Sequence, residues 1–131
     1  MAPVTILLAD TDPVVRKCLR YAVEASGQEI KVMWEAQDGF EALHKIQQFK
    51  PDLAVVDYML PRMNGLELAR CLRNHGLQTR ILVMGTFEAQ QQAVLDAGAD
   101  GFVTKSSGCE AIKAAVHRLV VLPTRPSEVI G

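Results

Sequence analysis

The chain has 131 residues, 49% of them hydrophobic, and 14 Lys and Arg against 15 Asp and Glu give it a net charge of −1 at pH 7. That length fits one domain with a substantial core, and that hydrophobicity excludes a disordered tail. Scattered, balanced charge excludes an electrostatic footprint for nucleic acid or anionic membrane in this segment. Cys18, Cys71 and Cys109 share no repeated spacing, which argues against a disulfide framework or zinc site and for a reducing, cytoplasmic setting. No basic region followed by a long apolar run opens the chain, and no apolar run approaches about 18 residues, so neither export nor membrane spanning is expected.

Thr5 to Ala9 is the first apolar run of strand length. It leads into Asp10, Thr11, Asp12 and Pro13, where Asp12 can cap a helix, Pro13 can start it, and Gly27 can end it. Its apolar face is Val14, Val15, Cys18, Leu19, Ala22 and Val23. Ile30 to Trp34 is a second strand, followed by a helix carried on Phe40, Leu43 and Ile46 and stopped by Pro51. Leu53 to Val56 is a third strand; Asn64 with Glu67 then resembles a capping box for a helix bearing Leu68, Ala69 and Leu72. Ile81 to Met84 is a fourth strand, after which Phe87, Gln91, Val94 and Leu95 mark a helix with a weak start signal. Gly101 to Thr104 is the fifth, and Ser107 with Glu110 looks like a second capping box ahead of Ile112, Ala115, Val116 and Leu119.

Strand and helix therefore alternate five times, which calls for an α/β fold with a parallel sheet covered by helices on both faces. The runs LAVV and ILVM lack alternation and suit central strands. Residues 1 to 121 read as the domain. Residues 122 to 131, with two prolines and little periodicity, read as a linker or C-terminal tail.

In an open sheet of this kind, ligands bind beyond the carboxyl ends of the strands. Asp10, Asp57 and Lys105 fall at three such ends. Two carboxylates brought together call for a cation, and hard oxygen ligands favour magnesium, while a lysine ammonium would hold an anion beside them. A metal, a carboxylate nucleophile and a lysine together meet the needs of phosphoryl transfer to an aspartate. Each also has a plainer role: Asp12 suits a helix N-cap better than catalysis, Asp57 alone could close a turn, and Lys105 alone could be a solvated side chain.

At these residues the sequence resembles the receiver domain of bacterial two-component response regulators, over residues 4 to about 121. VVDYMLPRMNGLEL (55 to 68) matches the phosphoacceptor strand and its following loop, and LLAD (7 to 10), DGFEAL (38 to 43) and GADGFVTK (98 to 105) follow in the expected order. The resemblance implies a flavodoxin-like doubly wound (βα)5 three-layer sandwich with strand order 2-1-3-4-5. It implies that Asp57 accepts a phosphoryl group from a histidine kinase, and that Asp10, Asp57 and the backbone carbonyl of Met59 hold Mg2+. It implies further that Lys105 pairs with the phosphate or Asp57, and that Phe102 is the aromatic residue whose rotamer changes on activation. Such a domain relays a signal by conformational change and is not itself an enzyme.

Two positions depart from the family. Thr11 stands where a second acid usually ligates the metal directly; a hydroxyl brings no charge, so affinity should fall unless Asp12 turns inward. Counting from Asp57 places Gly85 where the family has Ser or Thr to bond a phosphoryl oxygen. Thr86 is adjacent, but neighbours on a strand point to opposite sides, so it would serve only if the strand end bends. These departures sustain an alternative, a degenerate receiver that acts through protein contacts without phosphorylation. ILLADTDPV also resembles the signature of haloacid-dehalogenase-type phosphatases, with Asp10 as nucleophile, Asp12 as general acid, Thr86 binding phosphate and Lys105 as the amine. That reading lacks its later acidic pair, since only Glu110 and Glu128 follow Lys105. His44, His75 and His117 have no metal-like spacing and read as surface residues. The tail, and the 20 positions from Gly85 to Lys105, resemble regulators with a C-terminal helix-turn-helix domain, so DNA would be reached through such a domain, and pairing with a second receiver is a further expected contact.

Overall fold

The computed structural model describes residues 3–121. Five parallel strands form one sheet in the order β2-β1-β3-β4-β5: β1 (Val4–Ala9), β2 (Ile30–Ala36), β3 (Leu53–Asp57), β4 (Arg80–Gly85) and β5 (Gly101–Thr104). Between them run α1 (Pro13–Glu24), α2 (Gly39–Phe49), α3 (Gly65–Asn74) and α4 (Gln91–Asp96), and α5 (Gly108–Val121) follows β5. This is the doubly wound sandwich expected, with every strand within two residues of its expected bounds. The proposed tail, 122–131, lies outside the described residues.

Alternation along the strands divides the core in two. Leu7, Ala54, Val56, Ile81 and Val83 face α2, α3 and α4, whereas Ile6, Leu8, Val55, Leu82 and Met84 face α1 and α5. Both faces are covered, which is why the central strands are apolar without interruption.

Local signals at helix ends account for most boundaries. Asp12 accepts the Val14 amide at 2.8 Å, and Asn64 and Glu67 form a reciprocal capping box. Asp38 caps α2 through the Glu41 amide at 2.8 Å, and Lys50, left-handed at φ 49°, ends that helix immediately before Pro51. Ser107 is a correction. Its hydroxyl meets Thr104 Oγ1 at 2.6 Å, a single 3-10 turn spans Lys105–Ser107, and α5 begins at Gly108 without the expected capping box. Some expected apolar faces are also narrower than the periodicity suggests: Val14, Cys18, Phe40, Phe87 and Gln91 are exposed. Phe40 instead carries the Arg62 guanidinium 4.8 Å above its ring.

Candidate functional site

The carboxyl ends of β1, β3 and β5 meet in one acidic pocket. Asp10 follows β1, Asp57 ends β3, and Lys105 opens the turn after β5. Lys105 Nζ lies 3.1 Å from Asp10 Oδ2 and 3.2 Å from Asp57 Oδ2, although 95 residues separate Lys105 from Asp10. Asp10 and Asp57 are only 2% and 6% exposed. Burying two carboxylates this closely is tolerable because each is bonded as well as paired. Asp10 Oδ1 accepts the Asp12 amide at 2.9 Å, and Asp57 Oδ1 accepts the Met59 amide at 3.2 Å.

Burial, the largest single influence on Lys105, works to lower its pKa. The hydrogen bond Lys105 donates to Asp10, together with the charge of Asp57 and the bond to it, outweighs burial, and the ammonium ends above its ordinary value. It is therefore a fixed positive charge at any physiological pH.

The shape of the pocket depends on the β3 to α3 loop. Tyr58 N–H donates to the Met84 carbonyl at 2.8 Å, Gly65 N–H to the Tyr58 carbonyl at 2.9 Å, and Gly39 N–H to the Pro61 carbonyl at 3.1 Å. A Cβ at Gly39 would collide with the Met63 carbonyl, so the glycine of DGFEAL allows α2 to seat against this loop.

Of the other expected site residues, Thr11 is exposed, and Asp12 is exposed with Oδ1 engaged at the helix cap. Asp12 therefore does not turn inward as a replacement acid. Among the described residues no group of three His, Cys, Asp or Glu side chains is placed to hold a metal ion. Thr86 is exposed, just past β4. Phe102 is half-buried against the α2, α3 and α4 side of the core, and Gly85 is buried beneath it.

Sequence reasoning missed Arg16. Its Nη1 donates to the Asp10 carbonyl at 2.6 Å and its Nε to Glu35 at 2.8 Å, while Arg20 takes the other Glu35 oxygen at 2.8 Å. The hydrogen bonds from Arg20 and then Arg16 hold Glu35 below its usual pKa, against a smaller opposing effect of burial. The spacing of Arg16 and Arg20 was visible; their shared acid on β2 was not. Gln90 was also missed. Its carboxamide oxygen accepts the amides of Thr86 at 3.0 Å and Phe87 at 3.2 Å, so it closes the turn after β4.

A parallel five-stranded sheet in the order 2-1-3-4-5, with two acids and a lysine converging at its carboxyl edge, defines a flavodoxin-like fold with a charged site at the strand ends. Comparison with known proteins agrees: residues 6–117 match the family model described as the response regulator receiver domain, and the chain belongs to that family. It is 39% identical over 128 residues to response regulator MprA of Mycobacterium sp. (strain KMS), a match covering 96% of this chain and 54% of the relative. The chain thus spans about half the length of the curated relatives it matches. Among solved structures, the signal receiver domain of NarL from Mycobacterium tuberculosis superposes with a TM-score of 0.81 at 32% identity, covering 93% of this chain and all of that one. A LuxR-family two-component response regulator from Aurantimonas sp. SI85-9A1 gives 0.83 at 30% identity, covering 98% and 93%. The chain is therefore a receiver domain of the two-component systems. Among the described residues no helix is long and apolar enough to cross a membrane.

Proposed function

We propose that Asp57 is a phosphoacceptor that takes a phosphoryl group from a histidine kinase, and that the resulting acyl phosphate is relayed as a change in contacts with an output domain or partner. A carboxylate oxygen of Asp57 attacks the phosphorus of a phosphohistidine; the P–O bond forms, the P–N bond breaks, and the imidazole leaves with the electron pair and takes up a proton. The single observation that carries this reading is Lys105 Nζ within 3.1 and 3.2 Å of both buried carboxylates. In that place the ammonium can hold a phosphoryl oxygen, and its charge offsets the negative charge arriving there.

Receiver domains generally bind Mg2+ at their acidic phosphorylation site. The chain's donors fit such an ion in a water-rich form, since magnesium commonly uses one or two carboxylates, substrate oxygens and retained waters. Asp10, Asp57 and the Met59 carbonyl would hold it, with Thr11 at most a weak neutral ligand, and the ion would supply charge neutralisation on the phosphoryl oxygens. Thr86, exposed past the strand, is the weakest member of the phosphate-binding set. An output through DNA would require a C-terminal DNA-binding domain of the kind homologous regulators carry; pairing with a second receiver is the other contact consistent with the family.

Incubation with a small phosphodonor and magnesium, followed by intact mass, tests this. One added phosphoryl group is expected on the native chain and none on Asp57→Asn. Uptake by that variant overturns the assignment. Because Asp12 serves as a cap and Thr11 carries no charge, the second reading is a receiver that acts by protein contacts alone; an unmodified native chain, under conditions that load another receiver, selects it. The phosphatase alternative needs Asp12 as a general acid, and Asp12 at the N-cap of α1 gives it no support.

A further inference from the structure

Asp10 is held at every polar atom it carries. Its N–H donates to the Ala36 carbonyl at 3.1 Å, Oδ1 accepts the Asp12 amide at 2.9 Å, Oδ2 accepts Lys105 Nζ at 3.1 Å, and its carbonyl accepts Arg16 Nη1 at 2.6 Å. The first three belong to the sheet and the pocket; the fourth reaches back from α1. The bond between Oδ1 and the Asp12 amide closes an Asx turn, which forms only when the peptide plane between Asp10 and Thr11 is set to bring that amide under the carboxylate. The carbonyl of that plane is the atom Arg16 grips. The bond is short and charge-assisted, and Asp10 is 2% exposed, so its carbonyl has little water to turn to instead.

The guanidinium is itself oriented. Arg16 Nε donates to Glu35 Oε1 at 2.8 Å, Arg20 occupies Glu35 Oε2 at 2.8 Å, and the Arg16 side chain is 17% exposed. With Nε fixed on β2, the rigid fork aims Nη1 at the end of β1. A lysine at 16 could meet one of these partners but not both. The aim of Asp10 carries unusual weight here, because Thr11 brings no charge and leaves Asp10 and Asp57 as the carboxylates a divalent cation would meet.

We propose that Arg16, steered by Glu35, is a positioning residue: through the Asp10 carbonyl it holds the turn that aims the Asp10 carboxylate into the pocket, and so sets how tightly the pocket takes Mg2+. The metal half of this rests on the receiver reading of Asp10; the positioning half does not.

Mg2+ binding to the intact chain is measured by titration calorimetry, and the Asp12 amide, whose proton reports the bond to Oδ1, is followed in 15N spectra of the metal-free chain. Loss of a group that orients a metal ligand commonly costs about 10- to 100-fold in affinity, so Arg16→Gln and Arg16→Lys should each weaken Mg2+ binding about tenfold and move the Asp12 amide proton upfield. Arg20→Gln, which leaves the bond to the Asp10 carbonyl in place, should do neither. Native affinity in Arg16→Gln, rescue by Arg16→Lys, or an effect of Arg20→Gln as large as that of Arg16→Gln overturns the proposal. Where Arg16→Gln folds poorly, Glu35→Ala releases the guanidinium from β2 and should weaken Mg2+ binding and move the same amide; native values of both overturn it. Should the native chain bind no Mg2+, the receiver reading of the site fails, while an Asp12 amide unmoved by Arg16→Gln still overturns the positioning role and a moved one upholds it.

Discussion

Replacing Lys105 with methionine removes the cation that bridges the two carboxylate groups while keeping the length of the stem. The two contacts of 3.1 and 3.2 Å sum to 6.3 Å, the farthest apart Asp10 Oδ2 and Asp57 Oδ2 can lie. At about 6 Å and an effective dielectric near 20, two full negative charges repel by about 3 kcal/mol. The lysine side chain is 39% exposed, so water enters the space it leaves, and the expected loss of stability near neutral pH is about 1–2 kcal/mol. The sign with pH is defined. Without the ammonium, one carboxylate relieves the repulsion by holding its proton to higher pH. A carboxylate whose folded-state pKa lies above its unfolded value destabilises the fold above that raised pKa and ceases to do so below the unfolded one. The deficit should therefore be full at about pH 7 and close as the pH falls toward about 4. Urea unfolding across that range measures it, and a cycle with Asp57→Asn isolates its cause, because Lys105→Met should cost little once one of the like charges is gone. A deficit that ignores pH, or an equal cost in the Asp57→Asn background, would refute the convergence of these three side chains.

Thr11→Asp restores the missing acid and should tighten Mg2+ binding about tenfold, read by titration calorimetry; unchanged affinity would mean that position 11 does not face the ion. Asp12→Ala removes the bond to the Val14 amide and should cost about 1 kcal/mol in urea unfolding while phosphoryl uptake by mass is unaffected. Asp100 accepts both the Ile81 amide at 2.9 Å and Arg73 Nη2 at 2.8 Å. Asp100→Ala should thus cost about 3 kcal/mol, by leaving a largely buried guanidinium without its carboxylate, and a loss under 1 kcal/mol would show the tie between α3 and β5 to be dispensable.

The strands were legible because burial on both faces demands uninterrupted apolar runs, and that demand is met in β1, β3 and β4. The edge strand β2 was read two residues short. Glu35 interrupts its apolar run, yet on an edge the acid can point outward to Arg16 and Arg20 without leaving the sheet. Helix faces were overdrawn for a related reason. A helix laid on a sheet buries a narrow strip, so Val14 and Cys18 satisfy the period of α1 and still face solvent. The three polar groups of the pocket were legible through topology alone, since strand ends in this fold share one crevice. What each departure does to that crevice was less accessible. Thr11 can be judged in sequence as a lost charge, because charge belongs to the residue. Gly85 cannot, because its consequence lies in what fills the space it leaves. Counted against the family it is a missing hydroxyl, whereas in three dimensions it is room for the ring of Phe102 and the carboxamide of Gln90. A side chain at 85 would need the space that the Phe102 ring and the Gln90 carboxamide now occupy, so a hydroxyl there and this packing exclude one another unless those two side-chain ends shift.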